Sequence, residues 1–502
     1  MSAVFLDKAV FPKERDSILI RSFDKALLLV GSNPRSTLFA VYELLQRIGC
    51  RWIEPGPHGE RVPGFKTLHL PPQNVSHTAS LARRNVFITD DLPTSLDVDW
   101  MAKQKFNHFE AYLTYRYDIW EKLKDGLLQE IEKRDMSIEV SDHSHPFWIS
   151  PREFGRDHPE YFALVDGNRL VDRSHRPYGS DPPHLCVSNP DVMRIITERM
   201  IAFLKRNPEV ETLGLWSNDN EDYCQCDACT AMDGGVPPPA RRFLLFTNQV
   251  AKLVSKEFPD RKIAIFVTST WKDTEAPQDV TPAENLFLWF TPISACYGHS
   301  ISDPNCEINK SVKEYLEQWT RLFRPERVGI LEFYDTDWSA RFRHPGYEPM
   351  TQRLTADVEY YRDANIAGIY AWPGIGHSLF GVRGQHELTI YLVAQLAWDA
   401  DSNLWEIVSQ YCEAKYGPAA NSMVEIYREI DQTARELAAN HTMSGPGEIY
   451  SPQLWMRLEP HFKQALVDTS NDAYAHSNVQ RFEGEIRSSR LIYERFHPEG
   501  RP

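Results

Sequence analysis

The chain has 502 residues, of which 42% are hydrophobic and 12% aromatic, and its formal net charge is -15. This length is sufficient for two or three domains with a large core. An acidic chain repels phosphate backbones, so the composition argues against nucleic-acid binding. No apolar run approaches the roughly 18 residues of a membrane-spanning helix. We therefore expect no membrane partner, and a cytoplasmic protein as the sequence stands, or a secreted or periplasmic one if a signal peptide was removed.

The first part of the chain, residues 1–78, is predicted to form a small α/β domain. Residues 17–21 and 25–31 are rich in aliphatic side chains and are typical of strands. Residues 34–48 predict a helix, because apolar residues recur there at helical spacing. A proline-rich stretch then separates this domain from the rest of the chain.

Residues 79–400 alternate between strand-like and helix-like segments. Helical segments such as 190–205 and 241–257 separate apolar runs that are typical of buried parallel strands. Eight such units predict an α/β fold of the (β/α)8 TIM type. A long connection over 142–188 holds Asp166-Gly167, a hairpin signal. The predicted strands are 84–90, 107–113, 136–141, 212–217, 262–269, 285–292, 327–333 and 366–372.

The last part of the chain, residues 401–502, has helical periodicity only. The segments 404–415, 419–439 and 453–490 are the predicted helices. They carry no cluster of chemical groups that resembles a site. We interpret this C-terminal helical region as a packing module.

The fourth predicted strand ends in a run of polar residues, Ser217-Asn-Asp-Asn-Glu-Asp222. Barrel enzymes present acid and base groups at the C-terminal ends of their strands. Asp219 and Glu221 are therefore candidate catalytic groups, and one of them could be a general acid if burial or a neighbouring carboxylate raises its pKa. The alternative interpretation is a solvated acidic loop.

Two other strand ends carry candidate catalytic groups. Glu332 lies inside the apolar seventh strand, where a carboxylate is costly to bury unless it is used or paired. It is either a second catalytic carboxylate or one partner of a structural salt bridge with an arginine. His143 and His145 follow the third strand; an imidazole there can act as an acid or bind substrate hydroxyls, and the His-x-His spacing also permits a metal site.

Three cysteines, Cys224, Cys226 and Cys229, follow the acidic run with the close spacing of metal ligands. Cys296 or Cys306 could supply a fourth thiolate. In a reducing compartment this set favours a structural zinc ion, whereas in a secreted protein two disulfides are favoured. Buried free thiols are the third interpretation.

Several motifs resemble known families. Residues 33–45 with 49–52 resemble the small N-terminal domain shared by α-glucuronidases and β-hexosaminidases. Motifs between about 25 and 430 resemble the bacterial family catalogued as domain of unknown function 4838. These motifs are His158-Pro-Glu-Tyr-Phe-Ala-Leu164 with Asp166-Gly167, Leu185-Cys-Val-Ser-Asn-Pro190, Ser217-Asn-Asp219 leading into the three cysteines, Cys296-Tyr-Gly-His299, Asp303-Pro-Asn-Cys306 and Trp398-Asp-Ala-Asp401. One departure is Asn220-Glu221-Asp222, where members of the family often carry glycines.

Part of that family is glycoside hydrolase family 163, endo-β-N-acetylglucosaminidases that act on N-glycans. The resemblance implies a barrel glycosidase that takes an oligosaccharide or glycoconjugate and needs no organic cofactor. A 2-acetamido group of the sugar could then act as nucleophile, with Asp219 and Glu221, or Glu221 and Glu332, as the acid and the orienting carboxylate. Polar and aromatic residues at the strand ends would bind the sugar, and these are Asp91, His145, Asn218, Tyr297, His299, Tyr334, Asp335, Trp338 and Trp372.

Two alternatives stay open at this point. The first is an exo-acting glycosidase on an acidic sugar, of the α-glucuronidase or sialidase type, which requires arginines facing the pocket. The available arginines are Arg83, Arg84, Arg152 and Arg341. The second is a carbohydrate-binding protein without catalysis. A homo-oligomer is compatible with all three interpretations.

Overall fold

The computed structural model describes residues 15–24, 26–86, 93–113, 119–175, 182–235, 240–268, 275–296, 298–334, 351–372, 387–439 and 446–497. These residues form a small N-terminal sheet with one helix, a barrel of parallel strands with its surrounding helices, and a group of C-terminal helices. None of the helices described is both long enough and apolar enough to cross a membrane.

The N-terminal sheet has three antiparallel strands in the order β2-β1-β5, and helix α1 (Pro34–Arg47) packs on it. The strands are β1 (Ser17–Phe23), β2 (Ala26–Gly31) and β5 (Asn74–Thr78), with the short pair β3 (Arg51–Trp52) and β4 (Glu60–Arg61) between them in the chain. Asn33 begins the helix, because its side chain accepts a hydrogen bond from the Ser36 backbone N–H at 2.7 Å. The strands and helix predicted in this region are confirmed.

The barrel consists of eight parallel strands in one sheet, which confirms the predicted TIM-type fold. The order around the barrel is β6-β15-β14-β13-β12-β11-β8-β7. The two outer strands of this order meet where the Asn107 N–H donates to the Arg84 carbonyl at 3.1 Å, which closes the barrel. The strands are β6 (Arg83–Val86), β7 (His108–Tyr112), β8 (Ser137–Ser141), β11 (Thr212–Gly214), β12 (Lys262–Thr268), β13 (Leu286–Thr291), β14 (Val328–Glu332) and β15 (Gly368–Ala371).

Residues along each strand alternate between the lumen and the outer face of the barrel, as strand geometry requires. The lumen is packed with large side chains, including Phe287, Trp289, Leu331 and Tyr370. Gly329 makes room for one of them, since a Cβ at this position would lie 2.2 Å from the Trp289 ring. The opposite set of strand residues, for example Leu288 and Ile330, packs against the surrounding helices.

The two barrel helices predicted by range, 190–205 and 241–257, are present as Pro190–Arg206 and Ala240–Val254. Helix α6 shows the expected start, because the Asn189 side chain accepts a hydrogen bond from the Asp191 N–H at 2.9 Å. Residues 275–285, between β12 and β13, contain no helix, so the predicted strict alternation does not hold in that part. Pro277 and Pro282 interrupt it, since proline lacks the N–H that a helix interior needs. The helices are α2 (Ser95–Lys103), α3 (Ile119–Glu132), α6 (Pro190–Arg206), α7 (Asp227–Asp233), α8 (Ala240–Val254), α9 (Glu307–Phe323), α10 (Thr351–Asp363) and α11 (Glu387–Trp398).

The long connection between β8 and β11 carries two short helices and the predicted hairpin. The helices are α4 (His145–Trp148) and α5 (Pro151–Phe154). The hairpin pairs β9 (Leu164–Val165) with β10 (Asn168–Arg169) in antiparallel register around Asp166-Gly167. Both of these residues have positive φ, 51° and 78°, as a tight hairpin turn requires.

The C-terminal helices pack on one another and on the barrel helix α11. They are α12 (Leu404–Tyr416), α13 (Ala420–Ala439), α14 (Pro452–Asp468) and α15 (Ala473–Phe496). The predicted helical segment 453–490 is two helices, which corrects the prediction. The break occurs because Asp472 caps the second helix, where its side chain accepts from the Ala475 N–H at 3.0 Å.

Candidate active site

The ends of β8 and β11 lie close together at the C-terminal mouth of the barrel. A Cβ on Gly214 would lie 2.3 Å from the Ser141 Cβ, so only glycine permits this approach. The two loops that follow are joined by hydrogen bonds. His143 Nδ1 bonds the Ser217 carbonyl, and the Ser144 hydroxyl donates to the Gly214 carbonyl at 2.8 Å. The side chains after both strands are therefore held at the same edge of the mouth.

Asp142, the first residue after β8, combines the properties expected of a general acid. Its side chain is half-buried, and its carboxylate accepts the His143 N–H at 2.6 Å. Burial raises the pKa of Asp142 against the opposing effect of His143, and the negative charge of Asp219 raises it further. Its φ is 145°, a region that costs a non-glycine residue about 1–3 kcal/mol and is typical of functional positions.

The two acids that the sequence nominated, Asp219 and Glu221, are both exposed on the loop after β11. Burial therefore acts on Asp142 rather than on either of them, and Asp219 supplies the neighbouring charge. Sequence reasoning missed Asp142, although the same rule that selected Asp219, a carboxylate directly after a buried strand, applies to it. In that segment the prediction rested on the nearby histidines, His143 and His145, rather than on the acid.

Aromatic side chains line the mouth above the packed lumen. Trp216 stacks on Phe266 with ring centroids 5.0 Å apart, and the edge of His143 meets Phe266 at 5.5 Å. Phe333 and Trp372 form a second pair, with centroids 4.6 Å apart. Trp372, a predicted sugar-binding residue, is half-buried. Trp216 and Phe333 are buried in the lumen core, so Phe266 and Trp372 are the half-buried rings of these pairs that keep exposed apolar area.

A layer of paired charges lies in the lumen below the mouth, and we call it the floor. Its centre is Glu139, fully buried, with Arg83 at 3.4 Å and His108 Nε2 at 3.0 Å. The Trp289 indole N–H also donates to Glu139, at 2.9 Å. Burial alone would raise the pKa of Glu139, but the hydrogen bond and charge of His108 and the charge of Arg83 lower it.

Glu110 lies between the floor and the mouth. The Ser141 hydroxyl is 2.7 Å from a Glu110 oxygen and 3.0 Å from a Glu139 oxygen. Burial and the charge of Glu139 raise the pKa of Glu110 well above its ordinary value. This shift favours the protonated form of Glu110. Sequence reasoning missed this residue because nothing in the pattern of β7 distinguishes a lumen carboxylate.

Glu332 and Tyr334 lie on the outer face of the barrel rather than at the mouth. Glu332 is 3.4 Å from Arg353 on helix α10, and the Tyr361 hydroxyl donates to its other oxygen. The Arg353 guanidinium also stacks over the Tyr334 ring at 5.5 Å. Burial raises the pKa of Glu332 to about 7. This geometry corresponds to the alternative interpretation of Glu332, a structural ion pair with an arginine.

His145 and Asn218, two further predicted sugar-binding residues, instead contact other parts of the protein. His145 is fully buried between the barrel wall and helix α8, with its ring 5.8 Å from Phe243 and from Phe246. Burial lowers the pKa of His145 to about 3. The Asn218 amide donates to the Pro182 and Pro183 carbonyls at 3.1 and 2.6 Å, which fastens the long connection to the rim loop.

His299 lies on the loop after β13, in a second group of potential metal ligands with Cys296 and Cys306. Its Nδ1 is 3.3 Å from the Cys296 sulfur. The remaining predicted binding residues lie outside the described residues, and these are Asp91, Tyr297, Asp335 and Trp338.

The three clustered cysteines form a group that could hold a metal ion, and its fourth member is Cys186. This corrects the expectation that Cys296 or Cys306 would complete the set. Cys186 was visible in the sequence, but it lies 38 residues before Cys224, and only the fold brings the two segments together. All eight cysteines belong to the described residues, and each is an unpaired thiol rather than half of a disulfide.

The model of the family Domain of unknown function (DUF4838) matches residues 54–429. The chain belongs to this family. The match confirms the resemblance that the separate motifs indicated. A comparison with curated proteins finds no match.

Solved structures of larger glycoside hydrolases have the same fold. A family 138 enzyme that targets pectin rhamnogalacturonan II aligns with a TM-score of 0.59 and 11% identity, over 96% of this chain and 63% of that chain. A family 115 4-O-methyl-α-glucuronidase with specificity for decorated arabinogalactans aligns with a TM-score of 0.58 and 12% identity, over 97% of this chain and 65% of that chain.

A third structure is the family 89 enzyme of Clostridium perfringens, solved with GlcNAc-α-1,4-galactose. It aligns with a TM-score of 0.52 and 13% identity, over 84% of this chain and 49% of that chain. This member of the DUF4838 family thus spans about half to two thirds of the length of these enzymes. At such low identity the similarity demonstrates a shared fold.

Proposed function

We propose that the protein is a glycoside hydrolase whose reaction takes place at the barrel mouth, with Asp142 as general acid and Asp219 as the second carboxylate. The observation that supports this assignment is a half-buried acid of raised pKa beside a second carboxylate, at the ends of adjacent strands. Glycoside cleavage requires such a pair. The glycosidases that share the fold provide independent support.

The two groups have distinct roles in this mechanism. Burial and the charge of Asp219 raise the pKa of Asp142 and so favour its protonated form. In that form Asp142 donates its proton to the glycosidic oxygen as the bond to the leaving group breaks. Asp219 is exposed at the mouth, where it can stabilise the positive charge that develops on the sugar or orient the group that attacks it. The half-buried rings of Phe266 and Trp372, each backed by a buried aromatic partner, provide the apolar surfaces for the sugar.

We propose an N-acetylglucosaminide within a glycan as the substrate, cleaved in the endo manner. The acetamido carbonyl would attack the anomeric carbon from within the substrate, and Asp219 would orient that amide. This chemistry needs one acid and one orienting carboxylate, which is the set that the mouth offers. It is also the activity that the resemblance of the sequence motifs to glycoside hydrolase family 163 implies.

The arginines that an acidic sugar would need are engaged elsewhere in the described residues. Arg83 bonds Glu139 in the floor and Arg84 bonds Asp16 at 2.6 Å on the outer side of the barrel. Arg152 is exposed on the short helix α5, and Arg341 lies outside the described residues. These positions favour a neutral sugar over a uronic or sialic acid.

The deciding experiment is mass spectrometry of a sialylated complex N-glycopeptide incubated with the protein and with its Asp142→Asn and Asp219→Ala variants. Release of the glycan that leaves one N-acetylglucosamine on the peptide is the expected result, and both variants should lose it. Glu198→Gln, which removes an exposed carboxylate from helix α6, is the matched control and should retain full activity.

Three other results would contradict parts of the proposal. Release of terminal sugars alone would replace endo with exo action. Undiminished cleavage by both variants would move the reaction away from Asp142 and Asp219. Saturable glycan binding without turnover by the native protein would indicate a carbohydrate-binding protein instead.

A further inference from the structure

The four clustered sulfur atoms have the spacing of a tetrahedral metal site. The ligand atoms of Cys186, Cys224, Cys226 and Cys229 all lie within 4.8 Å of one another. The Cys186 sulfur is 3.7 Å from that of Cys226 and 3.8 Å from that of Cys229. Zinc–sulfur bonds of about 2.3 Å in a tetrahedron place the sulfurs about 3.8 Å apart, whereas a disulfide requires about 2.0 Å.

Hydrogen-bond donors surround the sulfurs as they do around bound thiolates. The Leu164 backbone N–H donates to the Cys224 sulfur at 3.3 Å, and an Arg169 guanidinium nitrogen is 4.0 Å from the same atom. The Ser188 hydroxyl lies 3.1 Å from the Cys229 sulfur. Four thiolates around one divalent cation carry a net charge of -2, which these donors and the positive guanidinium partly compensate.

The cluster joins three segments that have little regular structure of their own. Cys186 precedes helix α6, Cys224 and Cys226 lie on the loop that runs from β11 to α7, and Cys229 lies in the first turn of α7. The hairpin is attached to this loop because the Gln225 N–H donates to the Leu164 carbonyl at 2.7 Å. Residues 215–226 form neither helix nor strand, yet they carry Asp219. A metal ion at the cluster would fix the base of that loop.

We propose that Cys186, Cys224, Cys226 and Cys229 bind one structural zinc ion that holds the rim loop in place. Four sulfur ligands leave no open position for a substrate or water, so the ion stabilises structure and takes no part in the reaction. The binding of zinc is independent of the proposed glycosidase activity. Only an effect of zinc loss on turnover would rest on that proposed activity.

The first test is metal analysis of untagged protein purified under reducing conditions, compared with its Cys186→Ser variant. We expect the variant to hold about one equivalent of zinc per chain less than the native protein. Cys412→Ser, at a buried cysteine of helix α12, and Cys306→Ser, in the second group of ligands, should each keep the equivalent that Cys186→Ser loses. Equal zinc content in the native and Cys186→Ser proteins, or disulfides among the four cysteines in freshly reduced protein, would overturn the proposal.

Cobalt replacement and hydrogen exchange keep the test valid if Cys186→Ser folds poorly. Native protein stripped by a chelator and loaded with one equivalent of cobalt should show the strong thiolate charge-transfer and tetrahedral d–d bands of a four-sulfur site. Chelation should also increase amide exchange in residues 161–170 and 215–229 and leave strand β13 unchanged. An octahedral cobalt spectrum, or unchanged exchange after complete zinc removal, would contradict the structural role.

Discussion

The floor and the mouth of the barrel both contain carboxylates, but their surroundings shift the carboxylate pKa in opposite directions. In the floor, Glu139 is fully buried and is surrounded by Arg83, His108 and Trp289, and these partners keep its pKa low. At the mouth, Asp142 is half-buried, and burial together with the negative charge of Asp219 raises its pKa against the opposing effect of His143. Paired carboxylates stabilise the fold, whereas a carboxylate beside another of the same charge is poised to hold a proton.

The largest expected effect is a loss of turnover when the acid at the mouth is replaced. Asp142→Asn should lower the turnover number by about 10²–10⁴-fold, the usual contribution of a general acid. Stability should change little, because asparagine has the size of aspartate and its side-chain oxygen can still accept the His143 N–H. Turnover on the glycopeptide and thermal unfolding measure the two quantities. A variant that retains more than about a tenth of the native rate would place the acid elsewhere.

The second prediction compares how much two carboxylates of the lumen, Glu139 and Glu110, contribute to the free energy of unfolding. Glu139→Gln should lower the free energy of unfolding by about 3–5 kcal/mol, because it leaves Arg83 without its charged partner in a buried place. Glu110→Gln is the matched control. We expect a change below about 1 kcal/mol, since the raised pKa of Glu110 favours its protonated form, which glutamine resembles. Urea unfolding, monitored by tryptophan fluorescence, measures the free energy of unfolding of both variants. Equal losses of stability would show that the floor does not depend on the charge of Glu139.

The third prediction tests whether His145 belongs to the fold rather than to the mouth. Its pKa in the folded protein is about 3, against roughly 6.5 in the unfolded chain. The unfolded state therefore takes up a proton first as the pH falls below that value, and stability is lost between about pH 6.5 and pH 3. From pH 7 to pH 5 the native protein should lose about 2 kcal/mol more stability than His145→Gln, which cannot take up the proton.

Denaturant unfolding at the two pH values gives this difference, and turnover at pH 7 completes the test. We expect His145→Gln to keep turnover within a few-fold of the native rate. A large loss of activity without a change in the pH dependence of stability would indicate that His145 binds the sugar, as the sequence predicted.

The smallest effect concerns the coupling between the two acids of the mouth. The negative charge of Asp219 contributes to the raised pKa of Asp142. In Asp219→Asn that contribution is absent, so Asp142 loses its proton at a lower pH. The basic limb of the pH profile of the residual activity should therefore move to lower pH. An unmoved limb would show that the two carboxylates act independently.

The order of the eight strands and most of the helices could be predicted because they depend on local patterns. Each barrel strand is an apolar run that ends in a polar segment, and helices such as α6 begin at a capping asparagine followed by proline. The split between α14 and α15 was missed because one capping aspartate, Asp472, interrupts an otherwise continuous helical pattern. The missing helix at 275–285 has a similar local cause in two prolines.

The candidate site was less predictable, since its residues are selected by direction and distance. Glu332 and Glu139 are both acids in apolar strands, but one points to helix α10 and the other into the lumen. A shift of one position along a strand exchanges these two environments. The sequence therefore listed suitable carboxylates without separating those that face the lumen from those that face the helices.

The sequence by itself determined the barrel, its family and the strand ends at which polar groups gather, because periodicity and motifs are properties of neighbouring residues. Only the tertiary structure decided that Asp142 rather than Glu221 is the half-buried acid whose pKa is raised by burial and by Asp219, and that Cys186 is the fourth cysteine of its cluster. Burial, charge coupling and the meeting of distant segments are properties of the packed chain, since each depends on residues that lie far apart in the sequence.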